Sequence, residues 1–256
     1  TSSTVARERT ENPVLQLRDE DTFVADQLSG LPTHPAYYRH MAPINLTGAS
    51  PLPAPAPEID AGRLADMRDS VTVVDTRDRA AFAAGHIPGS MWIGTGDSFS
   101  SWVGWLTDID ASLVLVTDSD TDVLDLQVEL ARIGYDQVVG WMRGIDGWVE
   151  SGADTSTLMM RPLAEWVGAV PEQILDVRDY TEREQLPLPG AIGLHLPDID
   201  ATSVTQIDQS QPVGVVCASG YRATIAGSLL ERLGYSAVIL SDKGVAELRA
   251  PAVAGA

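Results

Sequence analysis

The chain repeats itself at long range. "VTVVDTRDRAAF" (71–82) resembles "QILDVRDYTERE" (173–184), and "LVLVTDSDTDVLDLQVELARIGYDQVVG" (113–140) resembles "PVGVVCASGYRATIAGSLLERLGYSAVI" (212–239). Leu130, Gly134 and Tyr135 fall on Leu230, Gly234 and Tyr235 at a shift of 100, and "RLADM" (63–67) precedes the first unit as "PLAEW" (162–166) precedes the second. So long a period is that of two duplicated domains, not of a solenoid of short stacked units. Each copy has to build a core, and 256 residues are enough for more than one.

Inside each copy the element types alternate. The short β-branched runs Val71–Val74 and Val213–Val216 read as buried strands. Residues 122–133 and 222–233 carry a helical period, and in the second stretch Ile225, Leu229, Leu230 and Leu233 share one face. Gly134 and Gly234 follow as helix stops, because glycine tolerates the left-handed cap. Strand, helix, strand repeated in this way predicts an α/β fold, a mostly parallel sheet flanked by helices.

Residues 1–57 follow no such pattern. "LPTHPAYYRHMAPINLTGASPLPAPAP" (31–57) is rich in proline, and its end, "PLPAPAP", reads as an extended linker. Ahead of it, "DEDTFVADQLSGL" predicts one short helix starting near Asp19. The segment is too small to fold alone and is expected to pack on something else.

A net charge of −19 without any basic run argues against nucleic acid and anionic membranes as partners. No stretch approaches a membrane-spanning length, and residues 1–20 lack the apolar core of a signal peptide. The single cysteine rules out an intramolecular disulfide and suits a reducing compartment, so a cytoplasmic location is expected.

That cysteine lies in "VVCASGYRAT" (215–224), after an apolar strand and five residues before an arginine. One reading is a buried thiol acting as a small hydrophobe. The other is a nucleophile in an anion-binding loop. A strand, a six-residue loop over 217–222 and a helix aim backbone N–H groups and the helix dipole at one spot, which favours a thiolate there. Arg222 adds a cation for an anionic substrate, Gly220 lets the turn close, Ser219 offers a hydroxyl and Tyr221 shapes the rim.

"CASGYR" resembles the active-site loop of rhodanese-type sulfurtransferases. "VVDTRDRAAFAAGHIPGSMWI" (73–93) is similar to the family's first signature, with Asp75, Arg77, Gly85, His86, Pro88 and Gly89 in place, and "VVGWMRGIDGW" (138–148) to its closing one, ending on Trp148. The second copy has "LDVRDY" and "LPGAI", but Pro187-Leu188-Pro189 replaces the usual Gly-His-Ile-Pro, and Leu248 lies near where the late tryptophan is missing. The resemblance covers residues 58 to about 248. It implies two rhodanese-like domains, 58–152 and 153–256. It further implies that Cys217 takes sulfane sulfur from thiosulfate or a low-molecular-weight persulfide, holds it as a persulfide and passes it to a thiol or cyanide. Ala218, Ser219, Gly220, Tyr221 and Arg222 would then form the substrate-binding loop. Related phosphatases carry one more residue between cysteine and arginine, so the spacing favours sulfur over phosphate. Asp176 and Arg178 are expected to be a structural ion pair, His86 a fold element and His195 a packing residue.

The first copy lacks this chemistry. Thr117 stands at the cysteine position, Asp122 replaces the arginine, and Asp118 and Asp120 add carboxylates that repel an anion. Residues 58–152 therefore read as a non-catalytic domain, a spacer or docking surface. Asp118, Asp120, Asp122 and Glu129 match the spacing of a calcium loop, but Val123 stands where that loop needs glycine and a helix is predicted there. His34 and His40 have no matching ligand set, and no metal site is expected.

"ENPVLQLRDEDTFVADQLSGLPTHPAYYRHMAPINLTG" (11–48) is similar to the tail of metallo-β-lactamase-fold proteins of the persulfide dioxygenase and thiol-ester hydrolase type. This implies that 1–57 is such a tail plus a linker, in the C-terminal part of a fusion. No cofactor is expected in this chain, iron belonging to the preceding domain. The partners expected are small anionic sulfur compounds and low-molecular-weight thiols, with homo-oligomerisation left open. The rival reading is a non-turnover persulfide carrier, or a docking and regulatory module of a larger sulfide-oxidising protein.

Overall fold

The computed structural model describes residues 2–17, 19–29, 34–118 and 120–249, without the side chains of 120–122. Residues 1–35 and 36–256 are separate compact units. In the first, α1 (Val5–Glu11) starts at Thr4, whose hydroxyl accepts the Arg7 N–H at 3.2 Å. α2 (Glu20–Leu28) starts at Asp19, whose carboxylate accepts from Thr22 N–H at 2.8 Å. Neither helix buries a residue. A cap without an apolar stripe leaves no periodic signal, so only α2 was legible beforehand.

The larger unit begins with α3 (Tyr38–Thr47). The first copy then runs α4 (Ala61–Met67), β1 (Thr72–Asp75), α5 (Arg79–Ala84), β2 (Met91–Trp92), α6 (Phe99–Leu106), β3 (Leu113–Thr117), α7 (Asp120–Arg132), β4 (Val138–Arg143) and α8 (Asp146–Glu150). The second runs β5 (Met159–Arg161), α9 (Leu163–Trp166), β6 (Gln173–Asp176), α10 (Tyr180–Gln185), β7 (Ile192–Gly193), β8 (Val213–Val216), α11 (Tyr221–Arg232), β9 (Ala237–Leu240) and α12 (Val245–Arg249). The copies form separate, all-parallel sheets ordered β2-β1-β3-β4 and β5-β9-β8-β6-β7. Gly134 and Gly234 stop α7 and α11 with φ of 85° and 81°.

Strand alternation sorts the side chains into three cores. Val74, Leu113 and Leu115 join Leu175, Val213 and Val215 in one core shared by both copies. Their neighbours Val73, Val114 and Val116 face an outer core under α4 and α8, while Val216, Val238 and Leu240 face another with Trp166 and Val245. α11 lies in the shared core. Eight successive residues of it, Ala223 to Leu230, are buried, so it is covered all round and not on one face as its periodicity suggested. Its second face meets the first copy. The Trp92 N–H donates to Ser228 Oγ at 3.2 Å, His86 Nε2 lies 2.8 Å from the Glu231 carboxylate, and Tyr221 stands edge-on to Trp92 at 5.1 Å.

The proline-rich stretch, read from sequence as without a period, instead carries α3 with Pro43 inside it; its end, 51–57, has neither helix nor strand, and that end is clamped. Gln127 of α7 accepts the Ala56 N–H at 2.9 Å and donates to Ala54 O at 3.2 Å. Pro57 and Ile59 then exchange backbone hydrogen bonds with Trp141 of β4 at 3.0 and 2.8 Å. Upstream, Tyr37 is buried against Gly104 of α6, and Met41 and Ile44 of α3 cover Gly134. Among the described residues no helix is long and apolar enough to cross a membrane.

Candidate active site

In the second sheet the chain leaves β6 toward β7 on one side and β8 toward β9 on the other. The crevice above the carboxyl ends of β6 and β8 is thus the topological switch point, where open parallel sheets place ligands. Cys217 is the first residue after β8, and Asp176 ends β6. α11 begins at Tyr221, so the turn between strand and helix is four residues, 217–220, and not the six expected. Tyr221 and Arg222 belong to the first turn of the helix.

Gly220 is the hinge of that turn. Its φ is 87°, a left-handed conformation that suits glycine, and its N–H donates to Cys217 Sγ at 3.1 Å. A Cβ there would lie 2.9 Å from Ser241 O and 3.0 Å from Leu240 O, so a side chain has no room. On the other flank the Val245 N–H donates to Cys217 O at 3.0 Å, while Gly244 packs directly on the Ala218 carbonyl. Cys217 itself is only 1% exposed, whereas Ala218 and Ser219 are exposed.

The other sequence-derived residues divide by location. Arg222, expected to face an anion, gives both Nη groups to Glu182 of α10, one at 2.7 Å and one closer. Burial works against the guanidinium charge, but the Glu182 hydrogen bond and the charges of Glu182 and Cys217 raise its pKa overall. Glu182 also closes a capping box: it accepts the Asp179 N–H at 3.2 Å while Asp179 accepts the Glu182 N–H at 2.8 Å. Burial alone would raise the Asp179 pKa; the N–H of Glu182 and the Thr181 hydroxyl bring it down to about 2. Asp176 and Arg178 form a buried two-pronged pair, at 2.9 and 2.7 Å, and Arg178 also donates to Leu186 O at 2.7 Å. Tyr221 points to the first copy, its hydroxyl donating to Gly94 O at 2.9 Å. His195 is buried between Trp105 and Tyr180; its Nδ1 has no hydrogen-bond partner, and burial lowers its pKa.

Sequence reasoning missed Glu182. Its signal was the S/T/D-x-x-E capping pattern in "DYTE", which marks a helix start but does not say that the same carboxylate reaches Arg222.

The first copy holds the equivalent place differently. Thr117 ends β3 and Asp75 is paired with Arg77 at 2.7 Å. A cleft of about 450 Å³ opens there, lined by Thr76, Asp78, Arg79, Trp92 and Thr117 with Tyr221 of the second copy. α7 starts at Asp120, so the calcium-like spacing is laid along a helix; the side chains of Asp120 and Asp122 lie outside those described. Among the described residues no three His, Cys, Asp or Glu side chains converge as a metal site.

The rhodanese-like domain family matches residues 60–151 and again 160–250. The chain belongs to this family. Both copies of the repeat are therefore rhodanese-like domains, each a parallel sheet flanked by helices. No curated protein matches the chain. Among solved structures it is similar to a thiosulfate sulfurtransferase from Pseudomonas aeruginosa (19% identity, TM-score 0.33), covering 74% of this chain and 45% of that one. It is also similar to SseA from Escherichia coli, described as a 3-mercaptopyruvate sulfotransferase (16%, TM-score 0.32, 74% and 98% covered). A metallo-β-lactamase from Staphylococcus aureus matches at 25% identity and TM-score 0.41 over 55% of this chain and 40% of that one. The family assignment rests on the two matched spans.

Proposed function

We propose that the second rhodanese-like domain is a sulfurtransferase with Cys217 as its nucleophile. The observation that carries this reading is the Gly220 N–H aimed at Cys217 Sγ at the switch point of the sheet. The thiolate attacks the outer sulfur of thiosulfate. A new S–S bond forms to Cys217 as the old one breaks, and sulfite leaves with the electron pair. A second nucleophile, cyanide or a thiolate, then takes the terminal sulfur, and the Cys217 thiolate is restored. A low-molecular-weight persulfide can replace thiosulfate as donor, with its thiolate as leaving group. The Gly220 N–H and the start of α11 stabilise the anionic persulfide. Arg222, fixed by Glu182, supplies positive charge without free rotation.

The first domain acts in this reading as a wall for α11 and not as a second catalyst. No cofactor takes part within this chain. The resemblance of residues 11–48 supports a setting beside an iron-dependent persulfide-oxidising domain, with low-molecular-weight persulfides as the donors, and the single cysteine suits a reducing, cytoplasmic location.

A second reading is a persulfide carrier without turnover. It is favoured by the 1% exposure of Cys217 and by the occupation of Arg222 by Glu182. Steady-state thiocyanate formation from thiosulfate and cyanide separates the two. A catalyst gives parallel double-reciprocal lines, the mark of two half-reactions. A carrier loads one sulfur per chain, releases one sulfite and forms no thiocyanate, because it unloads only to its own partner.

A further inference from the structure

The arginine that reaches the Cys217 turn from the other domain has no role so far. Arg79 opens α5 of the first copy, two residues after the Asp75–Arg77 pair. It is half-buried at the cleft between the domains, and its Nη2 donates across to Ser241 O at 2.6 Å. Its Nη1 lies over Gly220: a Cβ on that glycine would be 2.6 Å away. Arg79 and the Leu240–Ser241 carbonyls thus close the cradle around the residue whose N–H points at Sγ.

The repeat shows that this is not a general feature of the fold. The residue that corresponds to Arg79 in the second copy is Tyr180, whose hydroxyl donates to Asp198 Oδ2 at 2.6 Å. Arg79 also differs in kind from the other charges around the turn. Arg222 is held by Glu182 of its own domain, and Asp242 accepts the Leu163 N–H at 2.7 Å. Lys243 lies in the exposed stretch beyond.

We propose that Arg79 is a positioning residue for Cys217, supplied by the domain that has no nucleophile. It pins the left-handed Gly220 turn, keeps the N–H on Sγ and adds a positive charge across the domain boundary. The inference rests on Cys217 being the working thiol of the second domain. It gives a reason for the first domain to stay: removing it would take away part of the thiolate's environment along with the cover of α11.

Because Cys217 is the only thiol, its ionisation is read directly from the ultraviolet thiolate absorbance, with Cys217→Ser as the blank. Arg79→Gln should move the midpoint of that titration up by about one pH unit, since a cation at close range in a partly buried site is worth roughly that much. Arg79→Lys, which keeps the charge and loses the guanidinium plane that reaches both Ser241 O and Gly220, should recover part of the shift. Arg79 is half-buried between the domains, so urea unfolding of both variants serves as the control for global stability. A midpoint for Arg79→Gln equal to that of the parent protein overturns the proposal, as does a midpoint for Arg79→Lys equal to that for Arg79→Gln. The titration needs no sulfur transfer. An unchanged midpoint with normal sulfur loading overturns the role of Arg79 alone, and a shifted midpoint without loading keeps that role while the sulfurtransferase reading fails.

Discussion

The two domains carry one plan with opposite outcomes at the same place. In the second, the strand end bears Cys217, the helix start bears Arg222, and Glu182 of α10 holds that arginine. In the first, the corresponding positions are Thr117, Asp122 and Ala81. Nucleophile, cation and the carboxylate that fixes the cation are all replaced, while the buried Asp–Arg pair under the loop is kept in both, Asp75–Arg77 and Asp176–Arg178. The Asp–Arg pair serves the fold and the other three serve chemistry. The difference teaches that the fold survives the loss of the site, because its cores lie in the sheets and not in the loop. What the first domain retains is a surface: Trp92, His86 and Arg79 all reach the second domain.

The largest expected difference is at the nucleophile. Cys217→Ser should abolish sulfur loading altogether, and Thr117→Cys should add none, since Asp122 stands where the second loop has Arg222 and Asp118 adds a further negative charge. A loaded Thr117→Cys, Cys217→Ser double variant would break the comparison. Next comes Arg222→Ala, which should slow loading by about 10²-fold, the effect of removing one preorganised anion donor. An unchanged loading rate would make the Arg222–Glu182 pair purely structural.

Trp92→Ala should destabilise the protein by about 3 kcal/mol, because a buried indole and a wall of α11 go together. Its counterpart in the second domain is Gly193, so no matching substitution exists there. Urea unfolding checks the value, and a cost below about 1 kcal/mol would mean that α11 does not need the first domain.

The smallest effect concerns acid. Asp179 is held at about 2 against an ordinary 3.8, so its stabilising contribution is complete above about pH 4 and is lost as the pH falls toward 2. Asp179→Ala should cost about 1 kcal/mol at neutral pH and flatten the fall in stability over that window. Asp78→Ala, whose parent aspartate caps α5 without a capping-box partner, should cost less.

Much of this architecture was legible from the sequence. Apolar β-branched runs at a long repeat define parallel strands because both faces of such sheets are buried. Cys217, the turn at Gly220 and the Asp176–Arg178 pair lie in local patterns that a linear reading reaches. The rest depends on how one copy meets the other. The amphipathic pattern of α11 could not show that its second face is covered by β2, nor could "DTRDR" show that Arg79 crosses to the neighbouring turn. The missing late tryptophan has a similar explanation. Trp148 of the first domain packs in an outer core with Met67, while in the second the large residue moves to the Met67 position as Trp166 and Leu248 takes the other place. The volume is conserved across the pair, which neither position alone reveals.

The most direct test of the account is the intact mass of the protein after incubation with thiosulfate or glutathione persulfide, and again after cyanide or a thiol is added. The account predicts a gain of one sulfur atom per chain, about 32 Da, that disappears on the second addition and never forms in Cys217→Ser. No gain with either donor, or a gain that persists in Cys217→Ser, would contradict it.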